Sequence, residues 1–488
     1  MSNVEIELKL EFDPGDRAAL HRAPFLAGDA GETQHLVATY FDTPDRALDR
    51  SKYSLRIRRH GQQRIQTVKA GGGAAAGLFA RDEWERKVHG DTPVLDAASG
   101  PLLDAIGGEA AARLGPVFVT DVERTSWQLD FEGAEMELSV DRGTVRARDR
   151  TAALAEVELE LRGGDTQALF DVARQIDGHV PLRLAVRSKS ERGYALLDGA
   201  LSRLVKAEPV VLDRAMRAAD ALRAIVSACI RHYRLNETLL LQSDNAKALH
   251  QARVALRRLR SALSLFRPLL RDDPDAELLN AQLRRFAGAL GKARNLDVLI
   301  AHMGKDVPPA VDQARARAYA HVRTELESAR VRLLMLDLVE WLNKGPWLRE
   351  PRHERKMETP IAAFAAKRLS RRRRRLERLG QDIAHRGAKQ SHRVRIEAKK
   401  ARYAAEFFAT LWPLPDARKR HAAWLKGLER VQDRLGALND LVIGQRILAD
   451  LGVEVGPERL DAARAASLRA DAGAALEKLA KTPSFWTD

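Results

Sequence analysis

Through the first 200 residues, apolar side chains recur at every second position. Val4-Glu5-Ile6-Glu7-Leu8-Lys9 sets the pattern: in an extended chain Glu5, Glu7 and Lys9 share one face, and Ile6, Leu8 and Leu10 the other. Residues 53–59 alternate again, with Arg56 and Arg58 opposite Leu55 and Ile57. Residues 136–141 do the same. Glu156, Glu158 and Glu160 alternate with Val157, Leu159 and Leu161. Extended segments are also expected at 35–41, 65–69, 118–131 (one or two strands, containing Arg124) and 184–189, the last placing Arg187 and Lys189 on one face. Glu83 and Glu85 flank Trp84. Helical spacing is confined to 14–22 and 166–176. Asp42-Thr43-Pro44-Asp45 and Asp141-Arg142-Gly143 are turn signals, and 71–77 is a Gly/Ala-rich loop.

Alternation of this kind usually means an antiparallel sheet with one wet face. The acid triplet 156/158/160 would repel itself on such a face. It is better accommodated opposite Arg56, Arg58, Lys69, Arg187 and Lys189 across the lumen of a closed barrel, where every strand has an inner and an outer side.

Beyond a connector at 201–215 the period becomes helical. Helices are expected over 216–242, 246–271, 275–303, 310–343, 360–385, 390–411, 418–450 and 457–480, separated by Pro and Gly breaks. One stretch repeats. His250, Arg253, Arg257, Arg258 and Arg260 stand at the same offsets as His392, Arg395, Lys399, Lys400 and Arg402. Offsets 0, +3, +7 and +10 form one helical stripe. Asn295-Leu296-Asp297 follows the first copy and Leu438-Asn439-Asp440 the second. The expected fold class is therefore α+β multidomain. An antiparallel β-barrel tunnel with flanking helices (1–200) precedes an all-α domain (216–488) of two related bundles, near 216–345 and 355–488.

Charge sharpens this division. The 488 residues carry a net +15. Residues 1–200 hold 26 Lys+Arg against 33 Asp+Glu, and the rest hold 56 against 34. The first part can hold cations, and the second attracts polyanions. Cys229, the single cysteine, excludes an intramolecular disulfide. No apolar run is long enough for a membrane helix, and the N-terminus lacks the pattern of a secretory signal, so a cytoplasmic location is expected.

Glu5-x-Glu7-x-Lys9 resembles the ExExK signature of the CYTH family, the triphosphate tunnel metalloenzymes. Tyr40-Phe41-Asp42-Thr43-Pro44, Leu55-Arg56-Ile57-Arg58, Thr67-Val68-Lys69, Glu83-x-Glu85, the 156/158/160 strand and Arg187-Ser188-Lys189 follow in order. The repeated stripes resemble the CHAD domain. These resemblances imply that Lys9, Arg56, Arg58, Lys69, Arg124, Arg187 and Lys189 clamp phosphates. Glu5, Glu7, Glu158 and Glu160 would hold Mg2+ or Mn2+, and Glu83, Glu85 and Glu156 would add metal contacts or orient the clamp. They imply inorganic triphosphate as substrate. They also imply that inorganic polyphosphate binds His250, Arg253, Arg257, Arg260, His392, Arg395, Lys399 and Arg402, with association to polyphosphate granules. Adenylate cyclase or thiamine triphosphatase chemistry, and a non-enzymatic polyphosphate or nucleic-acid binder, are the competing readings. Few aromatics stand among the basic stripes, which favours phosphate chains over bases. Arg371–Arg375 is expected to be a solvated basic face.

Overall fold

The computed structural model describes residues 3–487 apart from 21–22, 24–25, 27, 72–75, 97–98 and 454–461. Most of the expected loop at 71–77 lies outside the described residues. So do the end of the helix expected at 14–22 and the start of the one expected at 457–480.

Eight antiparallel strands close a barrel among the described residues. They are β1 (Asn3–Glu11), β2 (Glu32–Asp42), β3 (Tyr53–His60), β4 (Gln63–Ala70), β5 (Leu78–Lys87), β6 (Gly115–Phe131), β7 (Ala134–Ala147) and β8 (Arg150–Gly163). Closure is made by β1. It pairs with β8 from Ile6↔Leu161 to Glu11↔Glu156, and with β5 from Asn3↔Glu83 to Leu8↔Leu78. A two-residue strand, β9 (Arg183–Leu184), adds to the end of β1.

The exposure of β1 settles which way its charged face points. Leu8 and Leu10 are 0% and 2% exposed, and Glu7 and Lys9 are 4% and 7% exposed. Neither face is wet. The apolar sides pack outward under α1 (Gln167–Asp177) and α2 (Lys189–Leu197), and the charged sides turn into the barrel. On the outside, Tyr194, Leu196 and Leu197 of α2 join Leu36, Phe118 and Val145 in one cluster. Asp42, 2% exposed, explains the Asp42-Thr43 turn. Its carboxylate accepts from the Thr43 and Leu48 amides at 2.7 and 2.8 Å and from the Tyr194 hydroxyl at 2.6 Å.

Two local expectations change. The turn expected at Asp141-Arg142-Gly143 does not form, because β7 runs on through it to Ala147, paired with both β6 and β8. The strand expected at 184–189 ends at Leu184, because a capping box starts α2: Ser188 Oγ accepts from the Glu191 amide, and the Glu191 carboxylate accepts from the Ser188 amide. Lys189 therefore enters the barrel from a helix N-terminus.

The helical part contains α3 (Ala218–Gln242), α4 (Ala246–Leu265), α5 (Pro274–Met303), α6 (Pro309–Glu327), α7 (Ala329–Lys344), α8 (Ile361–Gly380), α9 (Ala388–Phe407), α10 (Pro415–Asp450) and α11 (Ala462–Ala480). The repeat survives as a succession of helices. Both histidine stripes occupy 20-residue helices, α4 and α9, each followed by a long helix that carries the Asn/Asp motif. The single helix expected at 310–343 is broken at Ser328, whose carbonyl accepts from the Val331 and Arg332 amides to begin α7.

The chain forms two compact units, Met1–Arg203 with Glu327–Glu340, and Leu204–Leu326 with Trp341–Asp488. In the first, Arg332 of α7 donates to Asp177 at 2.8 and 3.0 Å, and Arg174 of α1 donates to Asp337 at 2.8 Å and also pairs with Glu340. In the second, the Arg371–Arg375 run is not simply solvated. Arg372 is buried and pairs with Glu397 at 2.8 Å, which Arg375 also reaches at 3.2 Å. Arg373 caps the carbonyls of Ala480 and Thr482. Cys229 is buried, and burial pushes its thiol up to about 11. Among the described residues no helix is long and apolar enough to cross a membrane.

Gly193 of α2 lies directly against the Phe118 ring, where an added Cβ would clash. Gly193→Ala is expected to cost about 1–3 kcal/mol by overpacking. Chemical denaturation of the two proteins checks this, and an unchanged midpoint would contradict the packing of α2 on β6.

Candidate functional site: a charged tunnel and a basic helical face

Inside the barrel is a cavity of about 800 Å3. Period-two alternation delivers its lining: each strand sends every second side chain inward. Glu5, Glu7, Lys9, Arg56, Arg58, Lys69, Glu85, Arg124, Glu158, Glu160 and Lys189, all singled out from the sequence, line it together with Glu83. Arg187 does not. It is half-buried between Val186 and the Ser188 cap. Glu156 is fully buried beside the lumen, 3.0 Å from Lys189.

One side of the lumen is internally neutralised. Glu158 accepts from Lys9 at 2.7 Å, Lys189 at 2.6 Å and Arg124 at 2.6 Å. Burial works to raise its carboxyl, but Lys189, Lys9 and Arg124 outweigh burial and hold it well below the usual carboxylate range. Burial likewise works to lower Lys189, but Asp141, Glu156 and Glu158 hold it well above the ordinary lysine value. Arg124 makes a two-point contact with Asp141 at 2.6 and 2.7 Å.

A second group collects acids. Register places Glu7 directly across from Glu160, and Glu160 across from Glu137. Lys69 binds Glu5 at 2.6 Å and Glu83 at 3.1 Å, and Arg162 binds Glu160 at 2.5 Å and Glu137 at 2.8 Å. Burial, then the Glu5 carboxylate, push Glu160 up to about 7, against the pull of Arg162. This cluster holds more negative charge than its cations relieve.

The third group is basic. Among the described residues Arg56 makes no ion pair and its buried Nε finds no acceptor. Burial works to lower it, yet Tyr40, Glu83 and Glu85 hold it above the ordinary arginine value. Arg58 stands 3.7 Å from Glu85 and is lowered by the neighbouring Arg56 and then by burial. Arg81 lies over the Phe79 ring at 4.0 Å and, among the described residues, makes no ion pair. Chemically, the tunnel offers an acidic end suited to a hard cation and cationic walls suited to a multiply charged anion.

Asp141, Glu137, Arg81 and Arg162 were not singled out from the sequence. Glu137 and Asp141 stand on the charged side of the 136–141 alternation, and Arg162 continues the 156/158/160 stripe. That signal was present. Arg81 had none.

In the helical unit, α4 and α9 bring their stripes into one electrostatic field. Arg253 is influenced by Arg257, Arg294 and Arg395; Lys399 by Arg257, Arg395 and Arg253; His250 by Arg294, Arg257, Arg253 and Lys399. Asp440 is the acid that enters this field. Arg253 donates to the Leu290 carbonyl at 3.3 Å and Arg395 to Asn439 at 2.9 Å. Among the described residues none of Arg253, Arg257, Arg395 and Lys399 has a carboxylate within ion-pair distance. Elsewhere in the unit buried arginines do: Arg258 with Glu406, and Arg372 with Glu397. Burial, then the neighbouring arginines, push Lys399 down to about 7 and His250 down to about 4. Arg260 (bound to Asn280) and Arg402 (3.2 Å from Glu406) have their own partners, and His392 is exposed. Arg294 and Asp440 complete the cluster. The repeated Asn/Asp motif pointed to Asp440. Its counterpart Asp297 instead accepts from Arg315 and Tyr319, both at 2.8 Å.

Fold and site thus define a class: a charged barrel tunnel in a chain that also carries a basic α-helical module. A family model for the CYTH domain matches residues 3–194, and one for the CHAD domain matches residues 224–449. The chain therefore carries a CYTH domain at 3–194 and a CHAD domain at 224–449. It is 32% identical over 202 residues to an inorganic triphosphatase of Haemophilus influenzae, an alignment covering 40% of this chain and 56% of that protein. Among solved structures, it is similar to the CHAD domain of the plant Ricinus communis (27% identity, TM-score 0.46, covering 58% of this chain and 93% of the other). It is also similar to an adenylyl cyclase from Hippeastrum described as having a dominant triphosphatase activity (18% identity, TM-score 0.31, covering 40% and 95%).

An unpaired, lowered lysine costs stability. As pH falls from 10.5, the unfolded chain takes up the proton first, so the penalty grows until about pH 7. Lys399→Met is therefore expected to raise the melting temperature at pH 7 by roughly 2–4 °C, with the gain fading toward pH 10.5. Calorimetry across that range checks it, and no gain at pH 7 would contradict an uncompensated cation.

Proposed function

We propose that the tunnel hydrolyses inorganic triphosphate to diphosphate and phosphate with a divalent metal, and that the helical module binds inorganic polyphosphate. One observation carries the first part: a closed lumen that sets the basic wall of Arg56 and Arg58 beside a crowded carboxylate end. The similarity to an inorganic triphosphatase supports the substrate.

The donor chemistry fits Mg2+ or Mn2+. Glu5, Glu7 and Glu160 supply hard oxygens at the end where burial and mutual repulsion raise Glu160, and Glu158 stands across from Lys9 one step further along the strands. Among the described residues no three acidic or histidine side chains form a ready-made cage. An ion of the Mg2+ type needs none, since one or two carboxylates and the substrate's own phosphates suffice. When bound, it would neutralise phosphate oxygens and so favour displacement at phosphorus.

The chain's own residues do the rest. Arg56 and Arg58 offer planar donor sets to phosphoryl oxygens. Lys9, Lys189 and Arg124 are fixed by Glu158 and Asp141, so they meet the substrate already oriented. Such prepositioned charge is the main demand of phosphoryl transfer, which needs no nucleophilic side chain. Glu85 is anchored by Thr67 at 2.8 Å beside Arg58 and orients that arginine. Against an organic triphosphate stands the shortage of aromatic surface. Tyr40 is the only aromatic among the described residues lining the cavity, and it is buried and stacked on Phe118 at 4.6 Å. Among the described residues lining this cavity, no platform for a base or thiazole ring is free.

In the helical module the unpaired Arg253, Arg257, Arg395 and Lys399 carry the polyphosphate reading. Four cations that share only the Asp440 carboxylate are short of negative charge, which a bound anion would supply. We place the protein in the cytoplasm, in association with polyphosphate granules.

Purified protein with Mg2+ or Mn2+ is expected to release phosphate from inorganic triphosphate in preference to ATP and thiamine triphosphate. Arg56→Ala should lower kcat/KM by about 100-fold or more, and a chelator should abolish turnover. No release above a Glu158→Ala control would sink the enzymatic reading. Separately, Arg253→Ala/Arg257→Ala should weaken polyphosphate binding and flatten its salt dependence. Unchanged affinity would remove the helical site from consideration.

A further inference from the structure

The link between α8 and α9 forms an open basic surface pocket, lined by exposed cationic side chains, that the histidine stripes do not include. α8 ends at Gly380. Asp382 takes a left-handed φ of 55°, residues Ile383–His385 form a 3-10 turn, and α9 begins behind Gly387. Gln390 Nε2 donates to the Leu379 carbonyl at 2.6 Å and holds the two helix ends together. Between them lies a cavity of about 470 Å3 lined by Arg378, Arg386, Lys389 and Arg393, with the carboxamides of Gln381 and Gln390. Among the described residues no carboxylate lines it. The adjacent acid, Asp382, is engaged by His385 at 2.5 Å. Among the described residues none of the four cations makes an ion pair.

Local physics also disfavours this arrangement in the absence of an anion. Lys389 lies in the first turn of α9 and Arg393 just beyond it, at the end where the helix dipole is positive, and the first turn has no acid. A bound anion would answer the dipole and the cations together. No aromatic side chain lines the cavity, so it suits phosphates rather than bases.

The cavity adjoins the basic stripe. Lys389, His392, Arg395 and Lys399 follow at spacings of three, three and four along α9. From Lys389 to Lys399 the helix advances about 15 Å. We propose that the Arg378/Arg386/Lys389/Arg393 cavity is a distal polyphosphate subsite, filled only by chains long enough to run from the Lys399 cluster along α9, so that it selects long chains over triphosphate. This rests on reading the stripe as a polyphosphate site.

The test uses the full chain with a chelator present, titrated with long-chain inorganic polyphosphate, inorganic triphosphate and single-stranded DNA at matched salt. Arg378→Ala/Arg393→Ala should weaken long-chain polyphosphate about ten-fold and leave triphosphate affinity unchanged. An unchanged helical circular-dichroism signal and melting temperature show that the variant is folded. If it melts early, the exposed Lys389→Ala carries the same comparison with a smaller loss. Undiminished long-chain affinity overturns the proposal, as does an equal loss for triphosphate or for DNA. Arg253→Ala/Arg257→Ala separates the two levels. If that variant weakens polyphosphate while the cavity variants do not, the stripe stands and the distal subsite falls.

Discussion

The barrel depends on the contact of Glu158 with three cations. A carboxylate that cannot reach water is tolerated only if it is paired and hydrogen-bonded. Lys9 from β1, Lys189 from the start of α2 and Arg124 from β6 all converge on Glu158, and Asp141 and Glu156 complete the balance. These contacts join elements far apart in the chain. They also fix the donors that face the lumen, so the balance that makes the barrel possible orients its working groups.

Compensation is uneven, and the unevenness is informative. It is full around Glu158, short of cations around Glu160, and short of acids around Arg58. A substrate that carries many negative charges, accompanied by a divalent cation, would correct both deficits at once. The helical unit shows the same logic with one sign only. Its structural arginines are matched, as in Arg372–Glu397, while the α4/α9 cluster and the α8–α9 cavity are not. In the α4/α9 cluster the unmatched charge is partly buried, so it costs stability and is retained where function needs it, whereas the α8–α9 cations are exposed.

Much of this was legible along the chain. Alternation at 4–10, 53–59 and 156–161 located strands and sorted their faces. The repeated His/Arg spacing located the two stripe helices. Other features were not legible. Residues 184–189 alternate as a strand would, yet the Ser188–Glu191 capping box turns them into a helix start. Arg187 and Lys189 share a face only in a strand, and so only Lys189 lines the cavity. Arg371–Arg375 reads as a solvated run, but its partners Glu397 and the Ala480 carbonyl lie on other helices.

The sequence by itself determined the periods: two for the barrel staves, 3.6 for the helices, with one charged and one apolar side to each strand. Those follow from local backbone geometry and need no partner. It did not determine where the charged faces point, since a wet sheet and a closed tunnel have the same alternation. Only the pairing of β1 with both β8 and β5 decided that, by burying Glu7 and Lys9 as deeply as Leu8 and Leu10. The physical reason is that charge compensation is a property of side chains distant in sequence and near in space, and register sets which of them meet.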